Sequence, residues 1–198
     1  PELATALYAG FAVLGVAFFQ FGVGIAAERA TPWERYVRTL PLAARTRFAG
    51  RILSALAFGA ASAAAVVGVA LLTVSPELSV SGWIKLATAL LAGSIPFALL
   101  GIALGYLASP RSALPIANVV YLALSYAGGL WTGPEQLPNA LERVSRFLPT
   151  RAFADLLAGA ALDLDVHERD WIVLVLYTVA AGLLAAWAYR RDEGERFS

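Results

Sequence analysis

Apolar positions along this chain form long unbroken blocks, with neither the alternation of a half-buried strand nor the narrow stripe of a soluble helix. Five stretches carry no charged residue: Leu3–Ala27, Ile52–Pro76, Leu86–Pro110, Ser112–Pro134 and Trp171–Tyr189. Each approaches or exceeds the roughly 20 apolar residues that a helix needs to cross a bilayer. Backbone polar groups in hydrocarbon must be satisfied within the segment, so blocks of this length predict helices. The expected fold is all-α: a polytopic transmembrane helical bundle of five spans, forming a single domain over residues 1–198. The third and fourth stretches are separated only by Ser109-Pro110-Arg111-Ser112, which predicts a tight turn.

Charge placement orients the bundle. With segments 28–51, 111 and 190–198 on one side, that side holds 10 of the 15 basic residues and 5 of the 14 acidic ones. The basic excess marks the cytoplasmic side, so the N-terminus is expected outside and the C-terminus inside. Trp83, Trp131 and Trp171 fall at the outer boundary and Trp33 and Trp187 near the inner one, as two interfacial belts would require. The N-terminus lacks the basic region of a signal peptide. Five spans with an external N-terminus then predict one more span upstream, and the absence of methionine with a start at Pro1 points to a fragment or processed chain.

Two polar segments show local order. In loop 28–51, Thr31-Pro32-Trp33-Glu34 reads as a helix start, with Thr31 as N-cap, Pro32 at the first helical position and Glu34 closing a capping box. The helix is expected to run to about Leu40 and stop at Pro41, with Glu34, Arg35 and Arg38 on its polar side. Trp33, Tyr36 and Val37 would pack on protein or headgroups, as in a docking helix lying along the membrane. In segment 135–170, Leu137, Leu141, Val144 and Leu148 recur at helical spacing, and Phe153, Leu156, Leu157 and Ala160 form a second apolar face after Pro149-Thr150. These predict an outer amphipathic helical hairpin, either re-entrant or lying on the surface.

Composition narrows the chemistry. The chain is 59% apolar and 15% charged with a mean hydropathy of +0.69, far from the balance of a soluble domain. A net charge of +1 offers no field for nucleic acid. Without cysteine, thiolate metal sites and cysteine nucleophiles are excluded. The only lysine, Lys85, lies in Trp83-Ile84-Lys85-Leu86 and not in the Gly-Lys-Ser/Thr of a nucleotide-binding P-loop. The acidic run Asp163–Asp170 lacks the glycine and terminal Glu of a calcium loop, and one histidine makes no zinc site, so no metal site is expected. No ionisable residue falls mid-span, where proton-coupled carriers place theirs. Gln20, Asn118, Ser125 and Tyr126 are weak candidates for a substrate path, and interhelical hydrogen bonding is the favoured reading for them and for Ser62 and Ser94. An intramembrane serine hydrolase would need Ser94 to meet a base, and His167 precedes the last span.

At this point the chain resembles the ABC-2 type permeases, the membrane subunits of bacterial ATP-binding cassette exporters. The resemblance rests on Phe18–Arg29, ending in a Glu-Arg pair, on Tyr36–Leu42, on Gly128-Gly129-Leu130-Trp131 with Pro134–Pro138, and on Arg146–Thr150, in that order. It implies six spans, of which the first is absent here, in a permease of two copies or paralogues on separate ATPase subunits. It makes 28–51 the coupling loop, with Glu28, Arg29, Thr31, Pro32, Trp33, Glu34, Arg35 and Tyr36 docking the ATPase subunit. Ala30-Thr31-Pro32 stands where many members carry a Gly-Thr or similar pair. No cofactor is expected on this chain, since ATP and magnesium would sit on the partner. The implied function is export of a hydrophobic or amphipathic substrate across the bacterial inner membrane. A membrane assembly subunit without transport activity is the alternative.

Overall fold

A computed structural model describes residues 1–39 and 44–194. Every regular element among them is helical. Helix α1 runs over Glu2–Glu28, with a π-helical section at Val16–Val23. The short helix α2 (Pro32–Thr39) follows, then α3 (Ala44–Thr73), α4 (Val80–Leu107) and α5 (Ala113–Ala127). Helices α6 (Asn139–Ser145) and α7 (Pro149–Leu162) precede α8 (Glu168–Gly194). The expected stop at Leu40-Pro41 lies outside the described residues.

Helix α4 is the axis of the bundle: 67% of its most apolar stretch is buried, against 22% for α3 and for α8. It packs against α8, α7 and the π-helical section of α1, and α1 packs against α3 and α7. Glycines permit the closest approach. A Cβ at Gly101 would fall on the carbonyl oxygen of Ala17, and one at Gly105 would lie 2.6 Å from Ile25 Cβ. The Gly101/Gly105 pair thus seats α4 on the π-helical section, as small residues four apart do in membrane bundles.

Among the described residues, four helices are long and apolar enough to cross a membrane: α1, α3, α4 and α8. The expected span within Ser112–Pro134 departs from this. Its helix, α5, has 15 residues, about 22 Å at 1.5 Å per residue, against a hydrocarbon core of about 30 Å. Gly129, at φ +80°, ends it in a Schellman turn in which Leu130 N–H donates to Ser125 O and Gly129 N–H to Tyr126 O, both at 3.0 Å. The irregular segment 128–133 completes the passage and brings Gly133 beside Leu3 at the opposite end of the bundle. Gly128, Gly129, Leu130 and Gly133 on it are buried while Trp131 and Thr132 are exposed, so protein covers most of this non-helical backbone.

Helices α3 and α4 start before their uncharged runs and end three residues short of them, at Thr73 and Leu107. Helix α3 starts eight residues before Ile52 and carries Arg45, Arg47 and Arg51 in its first turns, while α4 starts at Val80, capped by Ser79 Oγ accepting from Gly82 N–H at 3.0 Å. Between α4 and α5 the expected turn is closed by Ser109 and Ser112, whose hydroxyls lie 2.8 Å apart.

The outer hairpin divides in two. Helix α6 stays at the surface, with Val144 exposed and Phe147 just beyond it exposed as well. Helix α7 enters the bundle: Phe153, Leu156, Leu157 and Ala160 are all buried, and Phe153 stacks 5.4 Å from Phe97 in a space left by Gly93. Helix α7 thus packs inside the bundle and does not lie on its surface, because the glycines at 10 and 93 leave room for Leu157 and Phe153 between α1 and α4.

Candidate functional site

The end of the bundle that its basic residues mark as inner gathers the ends of α1, α4 and α8, the start of α3, and α2. Its sequence logic begins at Thr31. Thr31 Oγ accepts from Glu34 N–H at 3.4 Å and donates to Glu28 O at 2.7 Å, which holds the turn between α1 and α2. Pro32 then occupies the first helical position, where its missing N–H costs nothing.

The capping box does not close as expected. Glu34 is buried and turns toward α3, accepting from Arg47 Nη2 at 2.6 Å and from Arg51 Nη2 at 3.5 Å. Thr31 N–H donates to Glu28 O instead. Two guanidiniums one helical turn apart outcompete a single backbone N–H, because charge-assisted bonds are roughly twice as strong as neutral ones. Helix α2 is thereby rotated relative to the orientation its pattern suggested. Trp33 and Tyr36, 69% and 55% exposed, face away from the bundle with their rings 5.7 Å apart. Val37 faces inward, into a cavity of about 390 Å³ that Glu34, Arg47 and Arg51 also line.

Arg29 does not join this outward face. Its Nε donates to Asp192 Oδ1 at 3.0 Å, its Nη2 also contacts Asp192, and its Nη1 donates to Gly105 O at 2.9 Å and Ala108 O at 3.2 Å. One side chain therefore ties the end of α1 to the last carbonyls of α4 and to the end of α8. Asp192 is only 4% exposed, and carbonyls at a helix C-terminus favour a cation, so the arrangement satisfies every charge it buries. Tyr106 lies between the guanidiniums of Arg29 and Arg51, each 5.7 Å from its ring centroid, and meets Tyr189 edge-on at 5.1 Å. Glu28 is exposed and pairs with Arg51 at 3.0 Å.

Of the eight candidate docking residues, Glu28, Pro32, Trp33 and Tyr36 are presented outward, whereas Arg29 and Glu34 are directed into the bundle and Thr31 caps α2. Arg35 lies on α2, and its side chain is outside the described residues. Arg47, Arg51, Tyr106 and Asp192 complete the network without having been singled out in the sequence. The four-residue spacing of Arg47 and Arg51 ahead of an apolar run was the available signal for two of them.

The candidate path residues do not converge. Gln20 lies on the π-helical section and lines the inner cavity, while Asn118 and Tyr126 are exposed on α5. Ser125 is fully buried, donating to Leu122 O at 3.1 Å and accepting from Trp131 Nε1 at 3.1 Å. Ser94 Oγ donates to Leu91 O of its own helix at 2.7 Å, and His167 is exposed in the loop before α8. Among the described residues no group of three or more His, Cys, Asp or Glu side chains is placed to hold a metal ion. Asp163, in the outer loop, is held below the usual carboxylate range by its bond from Lys85 Nζ at 2.6 Å.

Long apolar helices, a short helix buried among them and a charged cluster at one end define a multi-pass helical membrane protein. Residues 3–187 match the family described as ABC-2 family transporter protein, and the chain belongs to that family. It is 23% identical over 187 residues to the Bacillus subtilis (strain 168) protein named "Putative transport permease YvfS", an overlap covering 92% of this chain and 75% of the relative. The chain is a membrane transport permease of this class, a family that works with an ATPase subunit.

Proposed function

We propose that this permease is driven by ATP hydrolysed on a separate subunit, which docks on the outward face of α2 at the cytoplasmic side of a bacterial inner membrane. The observation that carries the reading is the pair Trp33 and Tyr36, exposed on a helix whose opposite face is ion-paired to the bundle. Large aromatics presented to water on a fixed helix are the anchors that protein interfaces favour. ATP and magnesium supply the driving reaction on the partner and touch no residue of this chain. The chain's own residues transmit the motion: Glu34 carries a displacement of α2 to α3 through Arg47 and Arg51, and Arg29 carries the end of α1 to α4 and α8. A bundle with two arrangements shifts between them only by the difference in free energy that docking makes to each. The substrate class that suits apolar helices is hydrophobic or amphipathic, and a second permease copy or paralogue completes the assembly.

Co-purification tests this directly. The cognate ATPase subunit should be captured by the native chain, and capture should fall at least about tenfold with the double substitution Trp33→Ala and Tyr36→Ala, the loss of about 1.4 kcal/mol or more expected for interface anchors. Phe147→Ala, exposed at the opposite end, should leave capture unchanged. Equal capture by the double variant would overturn the assignment of α2.

A further inference from the structure

At the outer end, remote from α2, a cavity of about 280 Å³ lies between α7, the loop leading to α8 and the first residues of α1. Leu162, Leu164 and Val166 supply apolar lining, and Glu135, Asp155, Asp165 and Asp170 supply four carboxylates. Asp155 is already engaged: Arg151 Nε donates to its two oxygens at 3.0 and 2.9 Å. The Nη1 of Arg151 is enclosed by protein without a partner, so it is not presented to the cavity. Asp170 differs. It is 9% exposed and lines both this cavity and the adjoining one beside Arg169, yet no hydrogen bond or ion pair among the described residues reaches its carboxylate. Burying a carboxylate unpaired is costly, and a cation donating to it would recover that cost through a charge-assisted bond. With Asp155 paired to Arg151, the remaining lining holds three carboxylates against His167 alone. His167, Arg169 and Arg151 lie near Asp170, but none is within bonding distance of its carboxylate. A metal ion is disfavoured, because no three donors converge as ligands among the described residues, whereas apolar walls beside a carboxylate without a bonded partner suit an organic cation.

We propose that this cavity binds an organic ammonium group carried on a short apolar chain, with Asp170 as its counter-ion and Leu162, Leu164 and Val166 around the chain. The group belongs to a soluble amine or to an aminolipid headgroup, and both present the same chemistry to Asp170.

The test is calorimetric titration of the purified permease in phosphatidylglycerol nanodiscs with n-hexylammonium chloride, with hexanol and hexanoate as comparators and empty nanodiscs as blank. Saturable binding is expected for hexylammonium alone, weakened at least about tenfold by Asp170→Asn. Leu164→Arg, at an exposed position of the same cavity, places a fixed cation in it and should abolish binding even if Asp170→Asn does not fold. Repeating the titration in phosphatidylethanolamine nanodiscs separates the sources: reduced affinity identifies the lipid headgroup as occupant, and unchanged affinity a soluble amine. Equal binding of hexanol, unchanged affinity in folded Asp170→Asn or in Leu164→Arg, or no saturable heat at millimolar probe overturns the proposal. ATPase capture by α2 is measured separately, so neither result depends on the other.

Discussion

Gly101 shows how much of this bundle depends on single atoms. A methyl group there would collide with the backbone carbonyl of Ala17, which cannot yield as a side chain would. Gly101→Ala should therefore lower the thermal stability of the detergent-solubilised permease by about 1–3 kcal/mol, the range for overpacking a close contact. Gly68 on α3 has nothing within 4 Å, so Gly68→Ala should hold stability or raise it by up to about 1 kcal/mol from helix propensity alone. Parallel unfolding curves of the two variants check the pair, and equal behaviour would contradict the packing described. Both residues are simply glycines in apolar runs, and only Gly101 has a partner at four residues to mark it. Arg29 and Glu34 teach the reverse: their types suggested surface contacts, and their partners Asp192, 163 residues away, and Arg47 drew them inward.

Helix α7 carries the distinction between an inserted and a surface element. Its apolar face was legible as Phe153, Leu156, Leu157 and Ala160, but amphipathic spacing is the same whether the other side is lipid headgroup or protein. The deciding partners, Gly10, Gly93 and Phe97, lie on other helices. Phe153→Ala should cost about 3–5 kcal/mol, as a large-to-small change in a packed core does. Phe147→Ala, just beyond α6, should cost less than about 0.5 kcal/mol. Thermal unfolding separates them, and a small effect at Phe153 would return α7 to the surface. For α5, the run to Pro134 set only an outer limit, and the helix ends at Ala127, before the Gly128-Gly129 pair that was visible in the sequence.

Across the whole molecule, the passage through α5 and segment 128–133 decides which end Glu135 occupies. The native chain has no cysteine, which gives a clean background for accessibility labelling. In intact cells a membrane-impermeant maleimide should label Glu77→Cys and Glu135→Cys, whereas Arg45→Cys and Arg111→Cys should react only after permeabilisation; all four positions are exposed. Labelling of Glu135→Cys together with Arg111→Cys would mean that the short helix does not carry the chain across. The arrangement of partners agrees with the two-sided division of charge: Arg29 with Asp192 at one end, Lys85 with Asp163 and Glu77 N–H with Glu2 at the other.

The sequence alone determined that this is a helical membrane bundle, where four of its long helices lie, and that a capped helix begins at Pro32, because these follow from local hydropathy, charge counts and side chains within a few residues of one another. Tertiary structure decided which face of α2 points outward, that α7 enters the bundle, that the fourth passage is finished by irregular backbone, and that Asp170 is buried without a partner. Each of these depends on residues far apart in the chain. Burial and ion pairing are set by which atoms meet in space, and one-dimensional spacing is silent on that.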